Sequence, residues 1–265
     1  GVNADGTVTV VSDAAQSDVV TTGGNGSIVI RTSAGNLTLK DSTGGVSTAA
    51  NATWGPLNLG GVAVSAQGSG NVLLAALGAG TSVTANANAD VVSGTGHVTV
   101  TAAQDVIFLA GADLQVGGTG TINVVAGSAG SAGVIDFSST SHQTGVSGDI
   151  RLWAETDVKL GGLLWTGANA SVTAHTGTIY DADGEDTTVD LAAAGLRLWA
   201  GTGVGELGAG VNPVETAVGT VSARATGGGI NLLESDGLTI DDVGVTVRGV
   251  NADGTVTVVS DAAQS

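Results

Sequence analysis

The chain has 265 residues, of which 45 are glycine, 42% are apolar and 12% are charged. This apolar share excludes a disordered linker, and glycine without a Gly-X-Y period excludes collagen. The net charge of −17 excludes a nucleic acid backbone as the main partner. The lack of cysteine removes thiolate chemistry, and no uninterrupted apolar run is long enough to predict a membrane helix.

Short strands with alternating apolar residues recur along the chain, and each follows a turn that contains Gly, Asn or Asp. Val and Thr favour strands, and long stretches of helix-forming residues are missing, so the composition indicates an all-β protein. In chain order the predicted strands lie at 6–12, 26–32, 36–41, 70–76, 96–102, 105–111, 120–126, 148–154, 157–162, 170–176, 195–201, 219–225 and 237–243.

The spacing of these strands predicts a parallel β-solenoid, because short coils of two to three strands can stack and bury one continuous apolar stripe. Arg151-Leu152-Trp153-Ala154 recurs as Arg197-Leu198-Trp199-Ala200, 46 residues later. We interpret this as two coils of about 23 residues, with a shared packing role for Trp153 and Trp199. The alternative fold is a string of β-sandwich modules, which usually shows an interval near 100 residues and more proline.

The two ends of the chain are identical, since residues 1–17 and 249–265 both read GVNADGTVTVVSDAAQS. We call these segments the N-terminal copy and the C-terminal copy. They predict a unit at 1–248 and the start of the next unit at 249–265, with roughly ten coils and on the order of 50 Å of rod per unit. The alternative to a natural tandem repeat is that the same segment was joined artificially to both ends. We expect both copies to be mid-coil sequence, so that neither end carries a cap.

Three stretches of the chain resemble the coils of filamentous-haemagglutinin-like proteins, which are giant β-helical surface proteins of Gram-negative bacteria. They are GHVTVTAAQDVIFLAG (96–111), GDIRLWAETDVKL (148–160) and GINLLESDGLTI (229–240). Residues 201–240 are also similar to a segment of very large bacterial β-strand-repeat surface proteins. The resemblance implies a parallel β-helix, export to the cell surface or medium, and a role in attachment or as a scaffold.

The densest acidic cluster, DADGED at 181–186, is the candidate metal site. Calcium prefers several carboxylate and carbonyl oxygens from one compact loop. The ligands would be Asp181, Asp183, Glu185 and Asp186. The EF-hand order of ligands is not met, so a solvated turn is the competing interpretation.

Three functions are compatible with these features. The first is a structural segment of an extracellular or cell-surface fibre, whose partners are neighbouring copies, covalently joined or stacked end to end. The second is a ligand-binding adhesin domain that contacts a host, a surface or a glycan. The third is a β-helical polysaccharide-degrading enzyme, whose acid/base chemistry needs suitably spaced carboxylates. It is disfavoured because the adjacent Asp241 and Asp242 would point to opposite faces of a strand, and because none of the seven basic residues lies in a cluster with acids and aromatics. We expect no enzymatic activity, no nucleic acid partner and no membrane insertion.

Overall fold

The computed structural model confirms an all-β parallel solenoid. It describes residues 1–12, 18–40, 61–128, 130–137, 140–184 and 187–264. Each complete coil contributes three strands, one to each of three faces that we name A, B and C. Among the described residues no helix is long and apolar enough to cross a membrane.

The strands of each face pair in parallel with their equivalents in the next coil. Face A consists of β2 (Ile28–Thr32), β5 (Val72–Ala76), β8 (Val98–Ala102), β11 (Ile122–Ala126), β14 (Ile150–Ala154), β17 (Asn169–Ala174) and β22 (Thr239–Ile240). Face B consists of β3 (Leu37–Leu39), β6 (Val83–Ala85), β9 (Val106–Phe108), β12 (Ile135–Phe137), β15 (Val158–Leu160) and β18 (Ile179–Asp181). Face C consists of β1 (Val19–Thr21), β4 (Val62–Ala66), β7 (Asp90–Ser93), β10 (Leu114–Val116), β13 (Gln143–Gly145), β16 (Leu164–Thr166) and β21 (Leu232–Glu234).

Two long strands, β19 (Leu191–Ala200) and β20 (Val214–Ala225), run along face C and continue onto face A. Across the described residues nine strands follow one another on face A, close to the ten coils that were predicted. The 46-residue interval is confirmed as two coils, because Arg151 pairs with Ser171 and Ser171 pairs with Arg197. Trp153 and Trp199 therefore occupy equivalent positions, as predicted.

One continuous apolar core lies inside the three faces. Alternate residues of each strand point inward, so equivalent residues of successive coils form columns, such as Leu74, Val100, Val124 and Leu152 on face A. All four are fully buried. On face B the paired Phe108 and Phe137 pack edge to face at 5.6 Å. Removing one such core side chain, for example by Leu152→Ala, would cost about 2–5 kcal/mol.

The Gly that opens many strands is required by the stacking of the coils. Gly70, Gly96, Gly120 and Gly148 each lie two residues before a strand of face A. A Cβ atom on Gly96 would overlap the carbonyl oxygen of Gly70, and one on Gly120 would overlap that of Gly96. The recurring Gly-x-apolar motif therefore marks the closest approach of successive backbones.

A second stacked pattern lies at the corners where strands begin. The side chain just before a strand, or at its first residue, accepts a hydrogen bond from the backbone N–H of the equivalent residue in the next coil. Before face A, Asn71 Oδ1 accepts from His97 N at 2.9 Å, and His97 Nδ1 accepts from Thr121 N at 3.1 Å. Equivalent bonds precede face B (Val134 N to Asp105 Oδ1, 2.9 Å) and face C (Asp113 N to Asp90 Oδ1, 2.9 Å). Several acids of this chain thus serve as internal acceptors at the corners of the solenoid.

The fold departs from the solenoid at its C-terminal end. β23 (Val245–Val250) and β24 (Val256–Asp261) pair with each other in an antiparallel hairpin instead of continuing the parallel coils. β23 lies across the outer surface of face A, against β8, β11, β14 and β17. The expectation that the repeated end segment is mid-coil sequence is therefore wrong.

Candidate functional site

Two features of the described residues are candidates for function. One is the pair of identical segments at the ends of the chain, and the other is a buried group of carboxylates at the corner between faces B and C.

The two copies of the repeated segment form the same turn. In the N-terminal copy, Val2 and Val8 form an antiparallel bridge, and Asn3 N donates to Thr7 O at 2.8 Å. In the C-terminal copy, Val250 pairs with Val256 in the same way, and Asn251 N donates to Thr255 O at 2.8 Å. The predicted strand at 6–12 is thus one arm of a short hairpin and not a strand of the solenoid.

An aspartate stabilises this turn in both copies. The Asp5 carboxylate accepts from the backbone N–H and the hydroxyl of Thr7, at 3.0 and 2.7 Å. Asp253 accepts from the same groups of Thr255, at 3.0 and 2.6 Å. Because hydrogen bonds to the charged form favour it, the threonine side chain and then its backbone lower the pKa of each aspartate.

The copies differ in what covers their valines. Val2 is 79% exposed, whereas its equivalent Val250 is 5% exposed and packs against Leu73 and Ala75 of face A. The N-terminal hairpin presents Val8 and Val10 to solvent as well.

Polar side chains of face A hold β23 at successive coils. Asp149 Oδ2 accepts from Thr246 N at 2.7 Å, Thr121 Oγ1 accepts from Arg248 N at 2.9 Å, and Thr99 Oγ1 accepts from Val250 N at 2.9 Å. β23 therefore advances by one coil for every two residues. It runs from the C-terminal coils back towards the N-terminal ones.

The second strand and the end of the hairpin bind the two arginines of the 46-residue echo. Asp261 Oδ1 accepts from Arg151 Nε at 3.0 Å, and Asp261 Oδ2 accepts from Ser171 Oγ at 2.6 Å. Arg197 Nε donates to Ala262 O at 2.9 Å. Burial lowers the pKa of Arg197, with Asp261 opposing that effect. The arginines of the repeated Arg-Leu-Trp-Ala motif are thus docking groups for the hairpin, a role that the sequence did not indicate.

The tryptophans of the same motif lie beside these arginines, on the outer surface of face A, and are half-buried. Trp153 stacks on His175, with ring centroids 5.8 Å apart. Arg224 lies over the Trp199 ring at 5.3 Å. Trp165 is a half-buried residue of face C, and Trp54 lies outside the described residues.

The predicted acidic loop is only partly described. Asp181 ends β18 and is buried, and its Oδ1 atom accepts from Asp183 N at 3.0 Å. Asp183 is exposed, while Glu185 and Asp186 lie outside the described residues. Calcium binding by these four residues stays a prediction.

The structure brings Asp181 together with two acids that the sequence analysis did not single out, Asp190 and Glu215. Their exposed fractions are 7%, 1% and 2%, and one carboxylate oxygen from each lies within 4.8 Å of the others. Asp190, just before β19, and Glu215, the second residue of β20, hold equivalent positions in successive coils, and Asp190 Oδ2 accepts from Glu215 N at 3.2 Å. We call Asp181, Asp190 and Glu215 the carboxylate triad.

Burial and mutual repulsion make negative charge on the triad costly. Burial, and then the charge of Asp181, raise the pKa of Asp190 to about 8, and Asp183 and Glu215 act in the same direction. A backbone hydrogen bond from Glu215 opposes this shift. Burial and the neighbouring acids therefore favour the protonated, uncharged form of Asp190.

The histidines are spread over separate corners and do not form a site. His97 belongs to the corner pattern of face A, and burial, followed by the charge of Arg248, lowers its pKa. His142 lies 3.1 Å from Asp113, and His175 lies 3.2 Å from Glu155. Within the described residues, the carboxylate triad is the one group of three potential metal ligands.

Comparisons of the chain with protein-family models, curated proteins and solved structures find no match.

Proposed function

We propose that the chain is a structural segment of a long extracellular or cell-surface fibre built from tandem copies of the 248-residue unit. The observation that supports this most directly is the identical hairpin at both ends, docked on the solenoid at one end and uncovered at the other. In a tandem array, residues 1–17 of each unit are also residues 249–265 of the unit before it.

The hairpin would then act as the joint between units. It would lie on face A of the preceding unit, and the next solenoid would start near Asp18. Docking of the hairpin combines the apolar contacts of Val250, hydrogen bonds from the β23 main chain to side chains of face A, and the Arg151–Asp261 pair. Such a joint fixes the orientation of neighbouring units better than a flexible linker does.

The ends of the solenoid are compatible with extension along its axis. Within the described residues, β2 pairs only with β5, and β22 pairs only with β20. Ile240 in β22 is 84% exposed. An open strand edge with apolar residues favours association with another strand, and the resemblance noted above adds the expectation of export.

Cysteine cross-linking in a two-unit chain tests the joint, and the lack of native cysteine makes the background clean. We expect a disulfide between Cys introduced by Leu73→Cys in the first unit and by Val2→Cys in the second. In the single chain, Leu73→Cys with Val250→Cys should also cross-link, whereas Leu73→Cys with Val2→Cys should not. Equal disulfide yields for Leu73→Cys with Val250→Cys and for Leu73→Cys with Val2→Cys in the single chain would contradict the proposed joint.

The parent reading frame and electron microscopy test the fibre. We expect the codons after Ser265 to encode DVVTTGGNGS, the sequence of residues 18–27. Purified multi-unit protein should form rods whose length grows by about 40–50 Å per unit, given a coil rise of about 4.8 Å. Unrelated sequence after Ser265, or flexible beads in place of rods, would refute the proposal.

A second candidate, a glycan-binding adhesin, is favoured by the half-buried Trp153 and Trp199 beside Arg224. Aromatic rings of this kind can stack on sugars. Glycan-array binding that Trp199→Ala abolishes, without a loss of stability, would support this function.

A further inference from the structure

We propose that Asp181, Asp190 and Glu215 form a binding site for a single calcium ion. This ligand set shares only Asp181 with the loop that the sequence predicts. It brings together the end of β18, the residue before β19 and the second residue of β20. The ion would therefore connect parts of the chain that lie far apart in sequence.

The first argument is an oxygen atom that lacks a partner. Asp181 is 93% buried, since its exposed fraction is 7%, and its Oδ2 atom is buried without a hydrogen-bond partner. Its other oxygen, Oδ1, already accepts from Asp183 N. A buried carboxylate oxygen without a partner costs free energy unless a ligand compensates for it. An ion at the centre of the triad would supply that compensation.

The second argument is the balance of charge. One carboxylate oxygen from each residue of the triad lies within 4.8 Å of the others, so the ionised groups would repel one another. A divalent cation would offset most of the triad's charge when all three carboxylates are ionised.

The third argument is size and ligand type. Calcium binds oxygen ligands at about 2.3–2.6 Å, so two ligands on opposite sides of the ion are up to about 5 Å apart. The triad oxygens, within 4.8 Å of one another, match that span. Magnesium requires about 2.1 Å and a tighter octahedron. Zinc favours nitrogen and sulfur ligands, which this all-oxygen triad does not offer.

A side chain that contacts the Asp181 backbone carries a further buried oxygen. Asn212 Nδ2 donates to the backbone carbonyl of Asp181 at 3.3 Å, and Asn212 Oδ1 is buried without a partner. Calcium takes six to eight oxygens, and water would complete the set.

The test measures thermal unfolding of the complete chain at pH 7.5 in EDTA, in CaCl₂ and in MgCl₂, with calorimetric titration of calcium. We expect one site, and a rise in Tm of about 5 °C when calcium is present at a hundredfold excess over Kd. Magnesium should give a smaller rise. Equal Tm in EDTA and in calcium, or calcium binding without a change in Tm, would overturn the proposal.

Two variants assign the binding to its residues. Asp190→Asn removes one negative ligand and one like charge, so it should raise the Tm in EDTA and weaken calcium binding at least tenfold. If the substitution simply disrupted folding, the Tm in EDTA would fall instead of rising. The triple variant Asp183→Asn, Glu185→Gln, Asp186→Asn leaves the triad intact and should keep the calcium response. If the triple variant loses that response while Asp190→Asn keeps it, the site is the acidic loop and the triad proposal is wrong.

Discussion

The two copies of the repeated segment separate what a sequence determines locally from what its surroundings determine. Both copies form the same hairpin turn, with the same aspartate and threonine contacts. The C-terminal copy continues from β23 and lies against face A, whereas Val2 of the N-terminal copy is exposed. The turn is thus a local property of NADGT, whereas docking of the C-terminal copy combines contacts of the repeat, such as Val250 and Asp261, with contacts of the residues before it, such as Thr246.

The docked copy also explains the polar outer surface of face A. Its outward positions include Thr99, Arg151, Ser171 and Arg197, which are poor residues for an apolar interface. Each of them forms a hydrogen bond with the hairpin or with a neighbouring outward side chain. Face A therefore binds the hairpin by matching polar groups at successive coils, with apolar contacts from Leu73 and Ala75 at one end.

The largest effect should come from a charge placed at one valine of the repeat. Val250→Asp buries an unpaired carboxylate against Leu73, so we expect the hairpin to be destabilised by roughly 3 kcal/mol. Hydrogen exchange should show loss of protection in β23 and β24, while β5 and β8 keep theirs. Val2→Asp is the matched control, because Val2 holds the same position in the exposed copy. It should change stability by less than about 0.5 kcal/mol. Equal effects of the two variants would contradict the finding that Val250 is buried against face A while Val2 is exposed.

The Arg151–Asp261 pair should contribute the next largest effect. Both side chains are 12% exposed, so Arg151→Ala would remove the salt bridge and leave the Asp261 carboxylate with the Ser171 hydroxyl and the nearby charge of Arg197. We expect a loss of about 1–3 kcal/mol in hairpin docking. A double-mutant cycle with Asp261→Asn measures the coupling in denaturant titrations. The exposed Asp242→Asn serves as the control and should be neutral. A coupling near zero would show that the pair adds nothing to docking.

Much of the solenoid could be predicted because its physical causes are local. Gly96 and Gly120 mark the close approach of backbones, and alternating residues such as Val98 and Val100 mark a strand with one buried face. The 46-residue echo of Arg151 and Arg197 gave the coil length. What these patterns cannot specify is the partner of a strand. VTVRGV followed by NADG fits a strand and a turn in either a coil or a hairpin.

The triad shows the same limit at the level of a site. The acidic loop is visible in the sequence because its acids are adjacent. Glu215, in contrast, lies 25 residues after Asp190. That interval is one coil, since Leu196 pairs with Val221 on the adjoining face. A correct alignment of the coils would have placed the two acids at equivalent positions. The coils vary in length, however, so the sequence alone does not give that alignment.

A smaller effect is expected from His97, whose pKa should report whether the hairpin is docked. Its Nδ1 accepts from Thr121 N, and burial and Arg248 keep its pKa below the ordinary value of 6.5. A histidine with a lowered folded pKa binds fewer protons than the unfolded chain, so stability is complete above pH 6.5 and declines as the pH falls below it. His97→Asn, which copies Asn71 of the preceding coil, should reduce this acid sensitivity in urea titrations at pH 5 to 7. In Val250→Asp, NMR titration should show the pKa of His97 moving back up. An unchanged value would mean that the hairpin does not reach His97.

The smallest effect tests whether the turn is independent of docking. Asp5 and Asp253 should both titrate below 3.8 by NMR, because each accepts two hydrogen bonds from the threonine two residues later. A carboxylate with a lowered pKa stabilises its turn above the unfolded pKa and loses that contribution as the pH falls through the folded one. Thr7→Val and Thr255→Val should each raise the pKa of their own aspartate and leave the other unchanged. If Asp253 alone were lowered, the turn would need face A for its formation, and the hairpin could not exist before a unit provides a surface for it.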